Sequence, residues 1–127
     1  LRDGRKDLAL VSLSGPLTNV LIAIIASLIL KIIPPSPDFI IYHLSFIIAN
    51  IVHLNLLLAI FNLIPIPPLD GSKIFALLLP EKLANAFLSL GSIGIFVIFF
   101  LLLSSGELSL GRLIFSLSSF AHQMLGL

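Results

Sequence analysis

The sequence predicts an all-α fold, a polytopic bundle of transmembrane helices that forms a single membrane domain over residues 1–127. Hydrophobic residues make up 58% of the chain and charged residues only 10%, whereas about a quarter of the residues in a soluble domain are charged. Residues 8–30 and 39–69 contain no Asp, Glu, Lys or Arg. Each run exceeds the about 20 residues that a transmembrane helix needs.

Composition also excludes several classes of function. The net charge of +1 is small, and the basic residues flank apolar segments without forming a patch, so nucleic acid is not an expected partner. The chain has no cysteine, which excludes disulfides, thiolate metal sites and cysteine nucleophiles. The first apolar run is too long for the core of a signal peptide. The expected surroundings are therefore a lipid bilayer.

The first helix is predicted from Asp7 to Lys31, roughly 34 Å at 1.5 Å per residue, which is enough to cross a bilayer. The step at Ser14-Gly15-Pro16 predicts a kink in one continuous span. Small or polar residues recur every four positions on one face of this helix, which predicts close packing against another helix. They are Gly15, Asn19, Ala23 and Ser27.

The rest of the chain predicts about two more spans. A proline-rich turn, KIIPPSPD, precedes a second helix from about Phe39 to Ile64. A short helix from Ser72 to Leu79 and a third span from Leu83 to Leu103, softened by Gly91 and Gly94, follow. The tail from Leu108 is too mixed for a span and is predicted to be interfacial or partly inserted.

The distribution of basic residues predicts the orientation. Arg2, Arg5, Lys6, Lys73 and Lys82 fall on one side of the predicted spans, and Lys31 and Arg112 on the other. Because basic residues concentrate on the cytoplasmic side, the amino terminus and Asp70 are expected to face the cytoplasm.

The stretch FNLIPIPPLDGSKIF, residues 61–75, interrupts the second apolar run. Pro65, Pro67 and Pro68 lack amide hydrogens and force their predecessors toward extended geometry, so residues 63–70 are predicted to be non-helical. Such backbone is tolerated within a membrane only where it lines a cavity or is buried in protein. Two interpretations of Asp70 stay open on these grounds. It caps the helix near Ser72, or it belongs to a functional site.

These residues carry a family resemblance. The segment Asn62 to Gly71, NLIPIPPLDG, resembles the asparagine, proline and Leu-Asp-Gly signature of the site-2 protease family, the intramembrane zinc metallopeptidases. Ser14 to Asn19, SGPLTN, looks like a second block of that family. The resemblance runs from about Arg2 to Pro80 and fits the compact bacterial and archaeal members. It therefore implies a multi-pass protein of a prokaryotic cell membrane.

The resemblance implies a zinc site. In that family an H-E-x-x-H helix supplies two histidines and a glutamate, and the aspartate of Leu-Asp-Gly, here Asp70, is the third protein ligand to Zn2+. Asn62 would contact the substrate backbone or the developing oxyanion. Seven further residues of the matching blocks are implied in support: Gly15, Pro16, Asn19, Pro65, Pro67, Leu69 and Gly71.

The sequence departs from the family pattern at the histidines. None of His43, His53 and His122 is followed by glutamate, and H-E-x-x-H is absent from these residues. The resemblance places that helix upstream of Leu1, so we expect a carboxy-terminal part of a larger protease domain that is inactive alone. His53 lies about 16 Å along the helix from Ile64, too far to share a metal with Asp70. It is expected to hydrogen-bond across a helix interface, and His43 and His122 to be interfacial.

The favoured function is an intramembrane zinc metalloendopeptidase that cuts a membrane protein substrate in or near a transmembrane segment. The proline-rich break is expected to leave backbone groups that could hold an extended substrate strand. One alternative is a non-catalytic membrane pseudoprotease or interaction subunit. Another is a transporter fragment with Asp70 as a cation site, which is less favoured because the chain contains no repeated half. The sequence leaves the oligomeric state open.

Overall fold

The computed structural model describes residues 4–104 and 109–127, and all regular structure in these residues is helical. The predicted roles of Arg2 and of the start of the tail at Leu108 lie outside the described residues. The helices are α1 (Arg5–Ile32), α2 (Phe39–Asn62), α3 (Asp70–Phe75), α4 (Glu81–Leu88), α5 (Gly91–Leu103) and α6 (Leu110–Met124), and a 3-10 turn (Ala76–Leu78) follows α3.

Helices α1 and α2 form an antiparallel hairpin, and both are long and apolar enough to cross a membrane. Helix α1 continues through Pro16 for 28 residues, as the sequence predicts. Helix α2 begins where Asp38 caps it, because Asp38 Oδ1 accepts hydrogen bonds from the amides of Ile40 (2.9 Å) and Ile41 (3.2 Å). Residues 8–30 of α1 and all of α2 lack Asp, Glu, Lys and Arg, which is typical of a membrane span.

The carboxy-terminal part of the predicted small-residue face of α1 is closely packed. Ala23 and Ser27 are fully buried, and Ala23 lies in one apolar cluster with Val52 and Leu56 of α2. Asn19 is half-buried. Small side chains let the two backbones approach closely where lipid provides no hydrophobic force to drive them together. The partner of this face at Ala23 is therefore α2, whereas Gly15 is exposed and lies near Asp70 of α3.

The third predicted span differs from a straight helix. Helices α4 and α5 meet at Ser89 and Leu90 with a bend of 64°, so they form one span only as a bent pair. Of the two glycines that were expected to soften this helix, Gly94 has a packing role. A Cβ atom on Gly94 would lie 1.7 Å from the carbonyl oxygen of Pro67, and one on Gly91 would lie 3.8 Å from the Cβ of Pro68. The bend lets α5 pack against the prolines.

Helix α6 lies along α2 and packs against two separate apolar clusters. Its Leu110 packs with Ile64, Leu69 and Ile98 in a second apolar cluster. Its Ala121, on the last turns, packs against the cluster between α1 and α2. The tail predicted to be interfacial or partly inserted is thus an amphipathic helix that runs antiparallel to α2.

Candidate functional site

The proline segment, residues 63–69, connects α2 to α3 and is non-helical, as the sequence predicts. Its four non-proline residues, Leu63, Ile64, Ile66 and Leu69, donate their amide hydrogens to nearby carbonyls of the chain itself. The Pro67–Pro68 peptide bond is cis. The segment therefore has no free amide donors, and pairing with an extended strand could use only its carbonyl oxygens.

The Leu-Asp-Gly sequence places one residue in each of three environments. Leu69 is buried in the cluster with Ile98, which anchors the end of the proline segment. Gly71 is also buried, and a Cβ atom there would lie 2.1 Å from the carbonyl oxygen of Leu63. Real Cβ atoms do not approach backbone that closely, so only glycine allows α3 to start against the end of α2. Asp70, between them, is held in a defined position.

Asp70 is the first residue of α3 and does not cap it. The cap position belongs to Leu69, and no side chain caps this helix, so the N-cap interpretation of Asp70 is wrong. Its Oδ2 lies 3.5 Å from the Cβ position of Gly15 on α1. This distance is an ordinary van der Waals contact. The structure thus brings together the two blocks of the family resemblance, which are 55 residues apart at these positions.

The charged neighbour of Asp70 is Lys73, one turn along α3. Lys73 Nζ lies 3.8 Å from Asp70 Oδ1, and the side chains are 32% and 30% exposed respectively. This separation exceeds a hydrogen bond, and a half-solvated pair of this kind is worth at most about 1 kcal/mol. Both carboxylate oxygens therefore keep lone pairs that could bind a cation.

Asn62 occupies the last position of α2, directly before the proline segment. Its Nδ2 donates to the carbonyl of Leu58 at 2.9 Å, and Asn55 makes the corresponding bond to Ile51 at 2.8 Å. An asparagine amide carries two N–H groups, so this bond leaves Asn62 one donor for another partner. The structure orients Asn62, and its contact with substrate remains a prediction.

The residues around the proline segment offer one candidate zinc ligand, Asp70. No group of three or more His, Cys, Asp or Glu that could hold a metal occurs among residues 4–104 and 109–127. A carboxylate oxygen with free lone pairs is a normal zinc ligand, and Asp70 meets that requirement. A complete site needs ligands beyond the residues described.

One contact that the sequence analysis missed ties the site to the start of α1. Arg5 Nη1 donates to the carbonyl of Ala76 at 3.1 Å and to that of Leu79. Ala76 begins the 3-10 turn that follows α3, and Leu79 comes directly after it. A basic residue before a span is ordinarily interpreted as an orientation signal. The sequence does not indicate which carbonyls Arg5 binds.

His53 differs from the prediction, whereas the interfacial positions of His43 and His122 stay predictions. His43 is exposed near the start of α2, against Phe39. His53 has no hydrogen bond within the described part of the chain, and Asn50 and Asn55 bond to carbonyls of their own helix. The rings of His53 and His122 lie 5.4 Å apart. Sequence spacing could not reveal this pair, because its members lie on different helices.

Comparisons with known proteins agree with this geometry. The model of peptidase family M50 matches residues 38–105, which include α2, the proline segment and Asp70. The block from Ser14 to Asn19 lies outside that match, and the match extends past Pro80, where the resemblance was expected to end.

A curated relative from Methanocaldococcus jannaschii, named "Putative zinc metalloprotease MJ0611", is 39% identical over 64 residues. These residues cover 50% of this chain and 31% of the relative. The chain therefore spans about a third of the length of the relative it matches. No solved structure matches. Since the family model covers more than half of the chain and includes Asp70 with the proline segment, the protein belongs to peptidase family M50, the site-2 proteases.

Proposed function

We propose that this chain is part of an intramembrane zinc metalloendopeptidase and that Asp70 is one of its zinc ligands. The observation that carries the proposal is the position of Asp70. It lies between an anchored leucine and a glycine that admits no side chain, and its carboxylate lies against Gly15 with free lone pairs. The name of the relative supports zinc. Bound zinc would lower the pKa of a coordinated water and polarise the peptide carbonyl.

The residues of this chain would hold and orient the groups around the metal. Asp70 would bind the ion, and Gly71 and Leu69 would keep its carboxylate in place. Asn62 would donate its remaining N–H to the substrate backbone or to the oxyanion that forms during attack. The carbonyls of the proline segment could accept hydrogen bonds from an extended substrate, a membrane protein cut in or near a transmembrane segment. The other zinc ligands would come from an H-E-x-x-H helix outside these 127 residues.

The test is Asp70→Asn in the complete protease, with zinc content and cleavage of a single-span membrane reporter measured together. We expect cleavage to fall by more than about a hundredfold, since even outer-shell partners of a metal are worth 10–100-fold. Bound zinc should fall as well. Asp38→Ser is the matched control, because it removes a carboxylate and keeps an N-cap for α2. Full zinc content and full activity in Asp70→Asn would refute the assignment.

A non-catalytic membrane protein is the second candidate. It predicts that the complete wild-type protein neither holds stoichiometric zinc nor cleaves the reporter. The same measurement on the wild type therefore separates the two functions.

The proposed location is a prokaryotic cell membrane, with Asp70 on the cytoplasmic side. The bonds from Arg5 to the carbonyls of Ala76 and Leu79, at the two ends of the 3-10 turn, support it, because they hold the basic start of α1 at the same end of the bundle as Asp70 and Lys73. The chain contains no cysteine, so a Lys6→Cys variant offers a single label site. Reaction of intact cells with a membrane-impermeant maleimide at this site would contradict the orientation.

A further inference from the structure

His53 and His122 form a cross-helix pair that the protease proposal does not use. His53 lies on α2 and His122 on α6, and their ring centroids are 5.4 Å apart with the ring planes tilted by 44°. An ionisable side chain within a membrane span is costly and marks a functional position by default. Two histidines that meet from different helices therefore require a chemical explanation.

Their separation matches that of two imidazoles on one metal ion. A metal about 2.0–2.1 Å from a ring nitrogen lies about 3.2 Å from the ring centroid, so a tetrahedral arrangement separates two centroids by about 5.2 Å and a trigonal one by about 5.5 Å. The observed 5.4 Å lies between these values. Ring contacts without a metal also span this distance, so the separation permits a metal and does not decide the matter.

The hydrogen bond of His122 leaves its other ring nitrogen available to a metal. His122 Nδ1 lies 2.7 Å from the carbonyl oxygen of Ser118. A carbonyl oxygen only accepts hydrogen bonds, so Nδ1 carries a proton and a neutral ring has its lone pair on Nε2. Histidines that bind metals ordinarily donate their other ring N–H to a carbonyl or a carboxylate. His53 has no hydrogen bond among the described residues, so its ring can turn toward the same point.

The pair lines an open cavity of about 500 Å³ between α2 and α6. Gln123 and Ser119 also line it, and both carry oxygens that can bind a cation or a coordinated water. A water molecule occupies about 30 Å³, so the cavity has room for an ion and the waters that would complete its coordination. No Asp, Glu, Lys or Arg lines this cavity within the described residues.

We propose that His53 and His122 bind one divalent transition-metal ion through their Nε2 atoms and so bridge α2 and α6. Two neutral imidazoles with oxygen or water ligands select copper, nickel or zinc over calcium and magnesium. Cu2+ should bind tightest. The site is separate from Asp70, because His53 lies nine residues before Asn62, about 13 Å along the helix. If no metal binds to His53 and His122, the protease proposal is unaffected.

The test uses Cu2+ alone as the probe, on the untagged 127-residue chain in detergent. Titration followed by electron paramagnetic resonance counts both the bound ions and the nitrogen atoms that coordinate each one. We expect one Cu2+ per chain with two imidazole nitrogens. His53→Ala and His122→Ala should each weaken binding by at least about tenfold, the smallest effect seen for outer-shell partners, and leave one nitrogen in the spectrum.

His43→Ala is the matched control. His43 Nδ1 bonds to the carbonyl of Phe39 at 2.8 Å, the same arrangement as in His122, but no second histidine ring contacts it in the described chain. This variant should keep the wild-type affinity and both nitrogens. Equal losses in all three variants, or a wild-type spectrum with one nitrogen, would overturn the proposal and leave a ring contact only. Because His53 is exposed, His53→Ala preserves the packing and decides the question even if His122→Ala disturbs α6.

Discussion

The proline segment and the α1–α2 hairpin both pack closely, but they do so with different parts of the chain. In the hairpin small side chains meet apolar side chains, as where Ala23 contacts the cluster of Val52 and Leu56. Around the proline segment backbone meets backbone, at Gly71 against Leu63 and at Gly94 against Pro67. Side chains can shift to absorb a change, whereas a backbone carbonyl held on both sides cannot. The site should therefore tolerate substitution far less than the membrane spans that carry it.

The largest effect should come from Gly94→Ala. The new Cβ would lie 1.7 Å from the carbonyl oxygen of Pro67, so α5 must move away from the proline segment. The free energy of unfolding should fall by about 3 kcal/mol, the upper end of the range for overpacked cores, because neither backbone can rotate aside. Unfolding by SDS titration in detergent micelles would measure it.

Gly111→Ala is the control for that substitution. Its Cβ would meet Ser109 Oγ at 3.6 Å, an ordinary contact, and alanine favours a helix over glycine by up to about 1 kcal/mol. If Gly94→Ala and Gly111→Ala were equally stable, the contact between Gly94 and the backbone of Pro67 would not be what restricts position 94 to glycine.

A smaller effect is expected for Arg5→Gln, which tests the tether between α1 and the turn after α3. The substitution removes the charge-assisted hydrogen bonds to the carbonyls of Ala76 and Leu79. A loss of about 2 kcal/mol is expected, since hydrogen bonds to charged groups contribute about 1.5–3 kcal/mol. The same titration applies, with hydrogen exchange of residues 70–79 as the local readout. Lys6→Gln, at an exposed neighbouring position, should change neither the SDS titration nor the hydrogen exchange. A similar effect in Lys6→Gln would show that the loss comes from the removed charge and not from the hydrogen bonds of Arg5.

The smallest effect should come from Val52→Ala in the hairpin. Val52 is fully buried, yet lipid tails are as apolar as a protein core, so unfolding within the membrane gains no transfer energy. Only the lost packing remains, about 1 kcal/mol for two methyl groups. The measurement is again the SDS titration, compared with Leu54→Ala at an exposed position. A cost for Val52→Ala as large as that of Gly94→Ala would remove the contrast between the two regions.

Part of the candidate site was predictable from sequence. The break at residues 63–69 follows from three prolines that remove amide donors, and the structure has it there. The special position of Asp70 follows from the resemblance to the family. Its N-cap interpretation failed because α3 begins at Asp70, two residues earlier than the predicted start near Ser72. A boundary shift of two residues is small for a helix, but it changes a capping residue into one with a free carboxylate.

The glycines show where prediction from sequence stopped. Gly91 and Gly94 were interpreted through their effect on helix propensity, which is a local property. The role of Gly94 depends on Pro67, which approaches from another segment. The bend between α4 and α5 was missed for the same reason.

The sequence by itself determined the membrane character, the two long spans, the small-residue face of α1 and the non-helical proline segment. All of these depend on composition, periodicity and the missing amide of proline, which act within one stretch of chain. Tertiary structure alone decided that Gly15 lies against Asp70, that Arg5 holds the turn after α3 and that His53 meets His122. The physical reason is that periodicity defines the face of a helix but leaves open which neighbour that face meets. That choice depends on how all the helices pack at once.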